Sequence, residues 1–490
     1  MVKQLMQGIR VNLFSNDELY ELHLATLELL QQTGVRVEHD KALDIFGGGG
    51  CIVDKKKKLV KIPPYVVEDA IHSVPGEILL AGRDPKNDVI LGGNKINFTN
   101  FGEALMMVDP FTGERRESTK QDVANIALVT DALSEIDVTW RPCDARDVSP
   151  EVSALHVMEA LLANTTKHIA SGDGGEELTK IRIEMAAAVA GGKEKLRQRP
   201  LWTTVSCPAS PLTLGKVQCG DVIESAMAEV PHIALSMGLS GGTSPVTLAG
   251  ALVVHNAEVL AEIVLSQLTR KGAPIIYGSS TTCMDLKTAT TPVGSPELAV
   301  FSAAVVKLAQ YYRLCSLVAG GLADSKVSDA QAGHEKTITA LLPALAGANL
   351  IYGMGMLELG ITFSLTQLII DNEITKMVKA ALRGIDVNDE NIALGVIKQV
   401  GPGGNFLSAE HTLRHMREQS HSKLIDRRMW EQWEGDGKKD LAQRAAEEAL
   451  SILKNHKPEP LPPETLSSLH SIVESAEEEI LKKKKVKEGT

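Results

Sequence analysis

Polar side chains that could do chemistry are concentrated in one segment of the sequence, after an apolar run. Residues 314–319 predict a buried parallel strand, and Gly320 and Gly321 end it. The residues that follow bring together carboxylate, amide, imidazole and amine groups, and we single out Asp324, Lys326, Gln331, His334 and Glu335. Active sites of parallel α/β barrels lie at the carboxyl ends of the strands. We therefore predict part of an active site here, although an N-cap at Asp329 followed by solvated helix charges would also explain the pattern.

The same rule about strand ends selects further candidates along the chain. They lie within or just after short buried runs, and they are Asn100, Phe101, Glu103, Trp140, Arg141, Asp144, Ser171, Asp173, Cys207, Met237, Tyr277, Ser279, Asp324, Lys326, Tyr352 and Glu358. Aromatic residues make up only 4% of the chain, yet four of these candidates are aromatic. Aromatic faces bind quaternary ammonium ions with roughly 0.5–2 kcal/mol each. The four side chains therefore predict a cation site, with ordinary core packing as the alternative.

Metal and Schiff-base sites have weaker support in the sequence. His411 and His415 are spaced i,i+4 and share a helix face, but they lack the glutamate of an HExxH motif, so we predict no bound metal. The six cysteines contain no CxxC pair and are typical of reduced thiols in a cytosolic protein. Lys326 could form a Schiff base, which leaves a lyase on a barrel as an alternative, whereas Lys167 lies at the wrong end of its predicted strand.

Charge and hydropathy limit the classes of partner. The net charge of −11 disfavours nucleic acid, because phosphate binding requires a basic surface. The first residues lack the long apolar core of a signal peptide. The most apolar long run, residues 245–266, is interrupted by polar residues such as His255, Glu258 and Glu262, so it is too polar for a membrane span. We therefore predict a cytoplasmic protein that binds neither membrane nor nucleic acid.

The alternation of buried apolar runs with helical segments predicts an α/β fold, a (β/α)8 TIM barrel. Eight buried runs lie at residues 96–101, 137–143, 167–171, 201–207, 232–237, 274–279, 314–319 and 349–353. A helical segment follows each run, at 119–135, 150–165, 175–191, 215–228, 247–271, 295–312, 328–345 and 364–384. An open doubly wound sheet is the main alternative, but no GxGxxG motif follows the first strand.

Three regions follow from this reading of the chain. Residues 1–95 are predicted to form N-terminal additions, namely a helix and β-hairpins, because short β-branched runs alternate there with glycine and proline turns. Residues 96–384 form the predicted barrel. Residues 385–490 leave the strand-and-helix repeat and are predicted to form a helical C-terminal extension.

Three long motifs carry a family resemblance. They are GGLADSKVSDAQAGHEK at 320–336, ANLIYGMGMLELGITFSLTQLIIDNEI at 348–374 and GPGGNFLSAEHTLRHMR at 401–417. Over nearly its whole length the chain resembles the trimethylamine methyltransferase superfamily of corrinoid-dependent enzymes. The resemblance implies a (β/α)8 barrel that moves a methyl group from an amine to Co(I) of a corrinoid, a cobalamin that is free or carried by a partner protein. Archaeal members carry pyrrolysine in the barrel mouth, whereas this chain has only ordinary residues and is similar to the branch without pyrrolysine, which includes glycine betaine:corrinoid methyltransferases.

The resemblance also implies a methyl donor. The donor is a quaternary amine, with glycine betaine first and another betaine or a carnitine-like amine as alternatives. For such a donor we predict that Phe101, Trp140, Tyr277 and Tyr352 form the walls of the site. We predict that Asp324, Gln331, His334, Glu335 and Glu358 are its catalytic or charge-stabilising residues. Asp324 or Glu358 would balance the cation, and Arg141 or the amides near residues 331–334 would bind a carboxylate.

Two further questions stay open in the sequence. A non-catalytic protein that binds betaine or docks a corrinoid protein is the alternative from another class. A homo-oligomer is open as well, because the helical C-terminal extension could bury surface between subunits.

Overall fold

Eight parallel strands form a closed barrel at the centre of the fold. The structure is a computed structural model that describes residues 10–93, 95–172 and 174–488. We number the barrel strands β1 (Asn97–Asn100), β2 (Val138–Trp140), β3 (His168–Gly172), β4 (Trp202–Ser206), β5 (His232–Ser236), β6 (Ile275–Ser279), β7 (Ser316–Ala319) and β8 (Leu350–Met354). Each strand pairs with the next one along the chain, and β8 pairs with β1. All eight predicted strands are confirmed.

A helix follows each barrel strand. These helices are α1 (Lys120–Ala132), α2 (Ser153–Asn164), α3 (Gly175–Ala190), α4 (Lys216–Ala228), α5 (Leu248–Thr269), α6 (Pro296–Tyr312), α7 (Ala330–Ala346) and α8 (Leu365–Leu382). The predicted (β/α)8 barrel is therefore confirmed. By length and composition α5 could cross a membrane, but 72% of its most apolar window is buried inside the protein, as in a core helix.

Local sequence signals set the ends of these elements. Strands β3 to β6 are buried along their whole length, which is why their sequences show no strict alternation of apolar and polar residues. Thr119 and Asp122 form a capping box at the start of α1. Asp329 caps α7 by accepting a hydrogen bond from the Ala332 amide, and Gly347 ends α7 with a left-handed backbone at φ +92°.

The N-terminal region combines helices with two small sheets. Its helices are Asn16–Gln32, Asp40–Gly48 and Pro64–Ser73, with a 3-10 turn at Pro85–Asn87, and its strands are Val35–Val37, Ile52–Asp54, Leu59–Lys61, Ile78–Leu80 and Val89–Leu91. The sequence predicts one helix followed by β-hairpins in this region, and it does not predict the second and third helices. Pro64 occupies the first turn of its helix, where the missing N–H breaks no hydrogen bond.

One hairpin of this region closes the amino end of the barrel. Its two strands, Ile78–Leu80 and Val89–Leu91, pair in antiparallel fashion. Their buried apolar side chains join the cluster inside the barrel. The backbone beside the hairpin bonds to residues that precede barrel strands, as in the contact from the Ala81 amide to the Pro200 carbonyl at 3.0 Å. The barrel is therefore open at its carboxyl end and sealed at the other.

Short strands lie in the loops at the carboxyl end of the barrel, and helices form the C-terminal region. The short strands are Met106–Val108, Arg115–Glu117, Thr213–Leu214, Leu239–Ser240, Thr282–Cys283, Met356–Leu357 and Thr362–Ser364, and short helices lie at Lys193–Gln198 and Glu358–Gly360. The C-terminal helices are Asp389–Ile392, Leu394–Val400, Glu410–His415, Met416–Glu418, Trp430–Gly435, Leu441–Asn455 and Pro463–Glu488. The helix Leu441–Asn455 packs on α8, and the last helix runs along α2 and α3.

A fully buried ion pair joins α7 to α8 beneath the loops of the open end. Lys336 Nζ lies 2.8 Å from Asp371 Oδ2, and neither side chain is accessible to solvent. Lys336 also donates to the Gly321 carbonyl at 2.8 Å, and Asp371 accepts from the Gly355 amide at 2.6 Å. Burial lowers the pKa of Lys336 and raises the pKa of Asp371, while the charge of each partner opposes the shift. The pair therefore fixes the turns that follow β7 and β8.

We expect Lys336→Met to lower the free energy of unfolding by about 3–5 kcal/mol, because it leaves the Asp371 carboxylate buried without its partner. Urea unfolding followed by circular dichroism measures this. Lys326→Met, at an exposed position of the loop between β7 and α7, is the control and should change stability by less than about 0.5 kcal/mol. The double variant Lys336→Met/Asp371→Leu should regain most of the loss, and a double variant less stable than Lys336→Met would contradict the assignment.

Gly353 in β8 should not tolerate a side chain. Its φ is +151°, and a Cβ there would lie 2.2 Å from the Gly320 carbonyl oxygen and 2.5 Å from Leu322 Cδ2. We expect Gly353→Ala to lower stability by about 2 kcal/mol or more. Gly333 in α7 is the matched control, because its Cβ would meet nothing within 4 Å, so Gly333→Ala should stabilise the protein by up to about 1 kcal/mol. Equal melting temperatures for the two variants would refute this.

Candidate active site

Three aromatic rings stack at the open end of the barrel. Tyr352 of β8 lies 5.2 Å from the Trp140 ring and 6.3 Å from the Phe101 ring, with interplanar angles of 17° and 13°. The hydroxyl of Tyr352 donates to Ser280 Oγ. The Trp140 indole lies against the backbone of Gly102, where a Cβ would come within 2.1 Å of Nε1. Three of the four predicted wall residues therefore meet, and we call Phe101, Trp140 and Tyr352 the aromatic stack.

Tyr277, the fourth predicted wall residue, lies on the other side of its strand. Its ring packs 5.4 Å from His255, and its hydroxyl donates to Asn256 Oδ1 of α5 at 2.7 Å. Side chains alternate along a strand, and in β6 it is Ile276 that joins the cluster inside the barrel. The prediction that Tyr277 lines the opening is therefore corrected, since its ring belongs to the layer between strands and helices.

A carboxylate-rich cluster lies beside the aromatic stack. Arg141 is largely buried, pairs with Asp144, and has Nη1 3.7 Å from Glu103 Oε1. Glu103, 39% exposed at its side chain, holds a left-handed backbone at φ +74°, which costs about 1–3 kcal/mol for a residue other than glycine. These three side chains line a cavity of about 440 Å³. Arg146 also lines this cavity and pairs with Glu117 at 3.0 Å, while Glu103 and Asp144 both lie near the guanidinium of Arg141.

The carboxylate of Glu103 also affects the pKa of Tyr352 in the aromatic stack. Burial raises the pKa of Tyr352, the hydrogen bond with Ser280 opposes that shift, and the nearby Cys207 and Glu103 raise the pKa further. Tyr352 therefore presents a neutral hydroxyl. Glu103 is a strand-end residue of the sequence analysis that the implied site left out, and its position after β1 was the signal that could have included it.

The polar segment after β7 mainly holds its own loops in place. Asp324 accepts from the amides of Val293 and Gly294, at 2.7 and 3.0 Å. Glu335 accepts from the Asp324 amide at 2.8 Å, and Gln331 donates to Glu335 Oε1 at 2.7 Å. Burial raises the pKa of Asp324, and the two amides that it accepts from oppose the shift. Asp324, Gln331 and Glu335 are therefore loop-positioning residues in this structure.

The remaining predicted residues of this end differ in environment. His334 lies exposed in the second turn of α7. Glu358 pairs with Arg115 at 2.8 Å and accepts a hydrogen bond from Thr362 Oγ1 at 2.5 Å. Burial raises the pKa of Glu358, but the bonds from Thr362 and Arg115 outweigh it and hold that pKa below its usual value. Glu358 therefore has a partner of opposite charge within the chain. Asp173 lies outside the described residues.

The lysines give little support to Schiff-base chemistry. Lys326 is exposed in the loop after β7. Lys167 precedes β3 and donates to the carbonyls of Thr130, Leu133 and Ile136 at 2.6–2.7 Å, which places it at the amino end of the barrel as the sequence predicts. Burial lowers the pKa of Lys167 to about 8. Its amine is held by three acceptors and is remote from the open end.

Exposed apolar side chains surround the opening. They lie on loops after β1, β5, β6, β7 and β8, are each 40–66% exposed, and form what we call the apolar rim: Leu105, Met237, Val246, Leu286, Val327 and Ile361. Exposed apolar groups gathered around a cavity mark interaction sites in soluble proteins. The end of the barrel that carries the aromatic stack is therefore suited to receive a large second reactant.

Comparisons with known proteins agree with this architecture. The protein-family model described as "Trimethylamine methyltransferase (MTTB)" matches residues 1–480. The chain is 54% identical to a trimethylamine methyltransferase MttB of Desulfitobacterium hafniense, over 97% of this chain and 96% of that protein. It is 46% identical to MttB of Methanosarcina thermophila, over 95% and 98%. It is 32% identical to a glycine betaine methyltransferase of D. hafniense, over 96% and 98%.

A solved structure agrees at the level of the fold. The crystal structure of the Methanosarcina barkeri monomethylamine methyltransferase MtmB is similar with a TM-score of 0.51 over 92% of this chain and 96% of that one. Identity is 12%, so this likeness concerns the fold alone. With a family match over nearly its whole length and relatives about half identical to it, the chain belongs to the trimethylamine methyltransferase (MTTB) family of methyltransferases.

Proposed function

We propose that this chain transfers a methyl group from a small quaternary amine to the reduced cobalt of a corrinoid carried by a partner protein. The observation that carries the proposal is the aromatic stack with Glu103 beside it at the open end of a barrel. The family supplies the reaction class. The net charge of −11 suits a cationic substrate, and we propose a cytoplasmic location in agreement with the sequence.

Binding of the cation is assigned to the stack and the carboxylate cluster. An aromatic face attracts a quaternary ammonium by roughly 0.5–2 kcal/mol, and most when water is excluded. Phe101 is the partly exposed ring of the stack, while Trp140 and Tyr352 are buried behind it. Glu103 would balance the positive charge from the side of β1. Its partner Arg141 also pairs with Asp144.

The methyl transfer needs orientation more than acid–base chemistry. The corrinoid supplies the nucleophile, since Co(I) is strongly nucleophilic. The bond between the methyl carbon and nitrogen breaks, its electrons stay on nitrogen, and the amine leaves neutral, so no side chain has to deliver a proton. The chain's own residues would hold the ammonium so that one N-methyl group points out of the opening, a proximity effect. The apolar rim would contact the partner and exclude water.

The geometry favours donors without a carboxylate over glycine betaine. Both groups that the sequence offered to a betaine carboxylate are occupied by acidic side chains of the chain itself. Arg141 pairs with Asp144, and the first amides of α7 face the Asp329 carboxylate, with Ala332 N at 2.9 Å. A substrate carboxylate would also lie near Glu103, and like charges at close range are unfavourable. We therefore place tetramethylammonium-like and choline-like donors first and glycine betaine second.

A panel of donors tests the reaction and the ranking. Purified protein is mixed with cob(I)alamin and tetramethylammonium, choline, glycine betaine, carnitine or trimethylamine, and methylation of cobalt is followed by absorbance. We expect carboxylate-free quaternary amines to exceed glycine betaine in kcat/KM by at least about tenfold, equal to about 1.4 kcal/mol, and trimethylamine to be slower still. A faster glycine betaine would overturn the ranking, a faster trimethylamine would overturn the quaternary donor, and no methylation with any donor would overturn the proposed function.

The role of the aromatic stack is tested by Tyr352→Leu. Loss of this ring removes the surface on which Trp140 and Phe101 stack, so we expect the KM for the best donor to rise about tenfold, the equivalent of one desolvated cation–π contact. Tyr352→Phe keeps the ring and should retain most of the affinity. Tyr277→Phe is the control, because it loses a buried hydrogen bond outside the barrel and should lower stability with little change in KM. An unchanged KM in Tyr352→Leu would contradict the assignment.

A further inference from the structure

Three potential metal ligands meet in the C-terminal extension, far along the chain from the barrel strands. Glu390 lies on the helix Asp389–Ile392, and His411 and His415 lie on the helix Glu410–His415. One ligand atom from each comes within 4.8 Å of the others. His415 Nε2 is 3.1 Å from Glu390 Oε1, and the two imidazole rings are 4.3 Å apart. Two imidazoles and a carboxylate are a ligand set typical of zinc sites.

The other nitrogen of each imidazole already has a hydrogen-bond acceptor. His415 Nδ1 lies 3.0 Å from Glu418 Oε1, and His411 Nε2 lies 3.1 Å from the Glu390 carbonyl oxygen. Histidines that bind metals usually donate their second N–H to a carboxylate or a backbone carbonyl, which fixes the tautomer and the ring orientation. This arrangement leaves Nδ1 of His411 available as a ligand, and Nε2 of His415, which now donates to Glu390 Oε1, would give up that proton to a metal ion.

The segment around this cluster has little else to stabilise it. Residues 383–423 are all described, and none of those 41 successive residues is buried. Apolar side chains such as Ile385 and Leu407 are 90% and 88% exposed. A segment that cannot build an apolar core commonly depends on a structural metal, because the free energy of metal binding becomes free energy of folding. A cation at the cluster would tie the helix of Glu390 to the helix of His411.

We propose that Glu390, His411 and His415 bind a divalent transition-metal ion of the zinc type, which fixes the fold of residues 383–423. The three side chains would supply one oxygen and two nitrogen ligands and leave a fourth position of a tetrahedral site to water. Glu418 is a positioning residue, since it orients His415. Arg414 Nη1, 2.8 Å from Glu390 Oε1, would remain bonded to the ligating carboxylate from outside.

The competing charges around the cluster set a condition on binding. A metal ion would replace the hydrogen bond between His415 Nε2 and Glu390 Oε1, which are 3.1 Å apart. The groups that face His415 are the carboxylates of Glu390 and Glu418, together with Arg414 on the same helix and His411 beside it.

The test uses the full-length protein, stripped with a chelator and dialysed against Zn²⁺ or Co²⁺. We expect one ion per chain by elemental analysis, a tetrahedral visible spectrum for Co²⁺, and Zn²⁺ protection of residues 383–423 from limited proteolysis. His411→Ala and His415→Ala should each weaken binding at least a hundredfold, and Glu418→Gln about tenfold to a hundredfold. Methyl transfer is not the readout, so failure of the proposed function would leave this test unaffected.

The matched control is His470→Ala. His470 of the last helix also lies between two carboxylates, those of Glu159 and Glu474, at 3.0 and 3.1 Å, but among the described residues it belongs to no group of three potential metal ligands. This variant should bind metal like the parent protein. A stoichiometry near zero, binding that survives the double variant His411→Ala/His415→Ala, or equal loss in His470→Ala would overturn the proposal. If protection of residues 383–423 from proteolysis depended on protein concentration and not on Zn²⁺, the structural role of the metal would be overturned. That result would indicate that a second copy of the chain packs against this segment.

Discussion

Pairing of β8 with β1 is the constraint on which the open end of the barrel depends. Tyr352 and Thr99 lie in register across this pair, and Asn100 continues it next to Met354. The Phe101 amide then donates to the Met354 carbonyl at 2.8 Å, which fixes the chain as it leaves β1. Closure of the ring thereby brings a residue near position 100 against one near position 350. The aromatic stack exists because of this long-range pairing and has no local cause.

Closure of the barrel also separates the features that could be predicted from the sequence from those that could not. Buried runs and helical periodicity are local signals, and they located all eight strands and helices. Which face of a strand a residue occupies is a different matter, because strands buried on both faces carry no alternation from which to read inside and outside. Tyr277 and Tyr352 look alike in sequence, each within an IYG triplet, yet one contacts helices and the other the opening. Only the register of the closed barrel separates them.

The density of polar residues in the sequence predicted correctly that the segment after β7 lies at the open end of the barrel. It did not predict the role of each residue. The segment after β7 does lie at the open end, but its carboxylates mostly accept hydrogen bonds from loop amides, as Asp324 and Glu335 do. Loops at a strand end expose backbone donors that need acceptors, so polar residues collect there for structural reasons as well as chemical ones. Glu103 illustrates the opposite case. It stands in no polar cluster of the sequence, and its neighbour Arg141 comes from a different strand end.

The hairpin that seals the amino end has a consequence for the order of events. The side chains of Ile78, Leu80, Val89 and Leu91 fill the amino end of the barrel, so every molecule reaches the aromatic stack through the carboxyl end. In the proposed reaction, the small cation must therefore enter before the corrinoid protein covers the carboxyl end. The demethylated amine can leave only after the corrinoid protein has moved away. If the proposed reaction is correct, the mechanism would be ordered, with substrate binding before the corrinoid protein and product leaving after it.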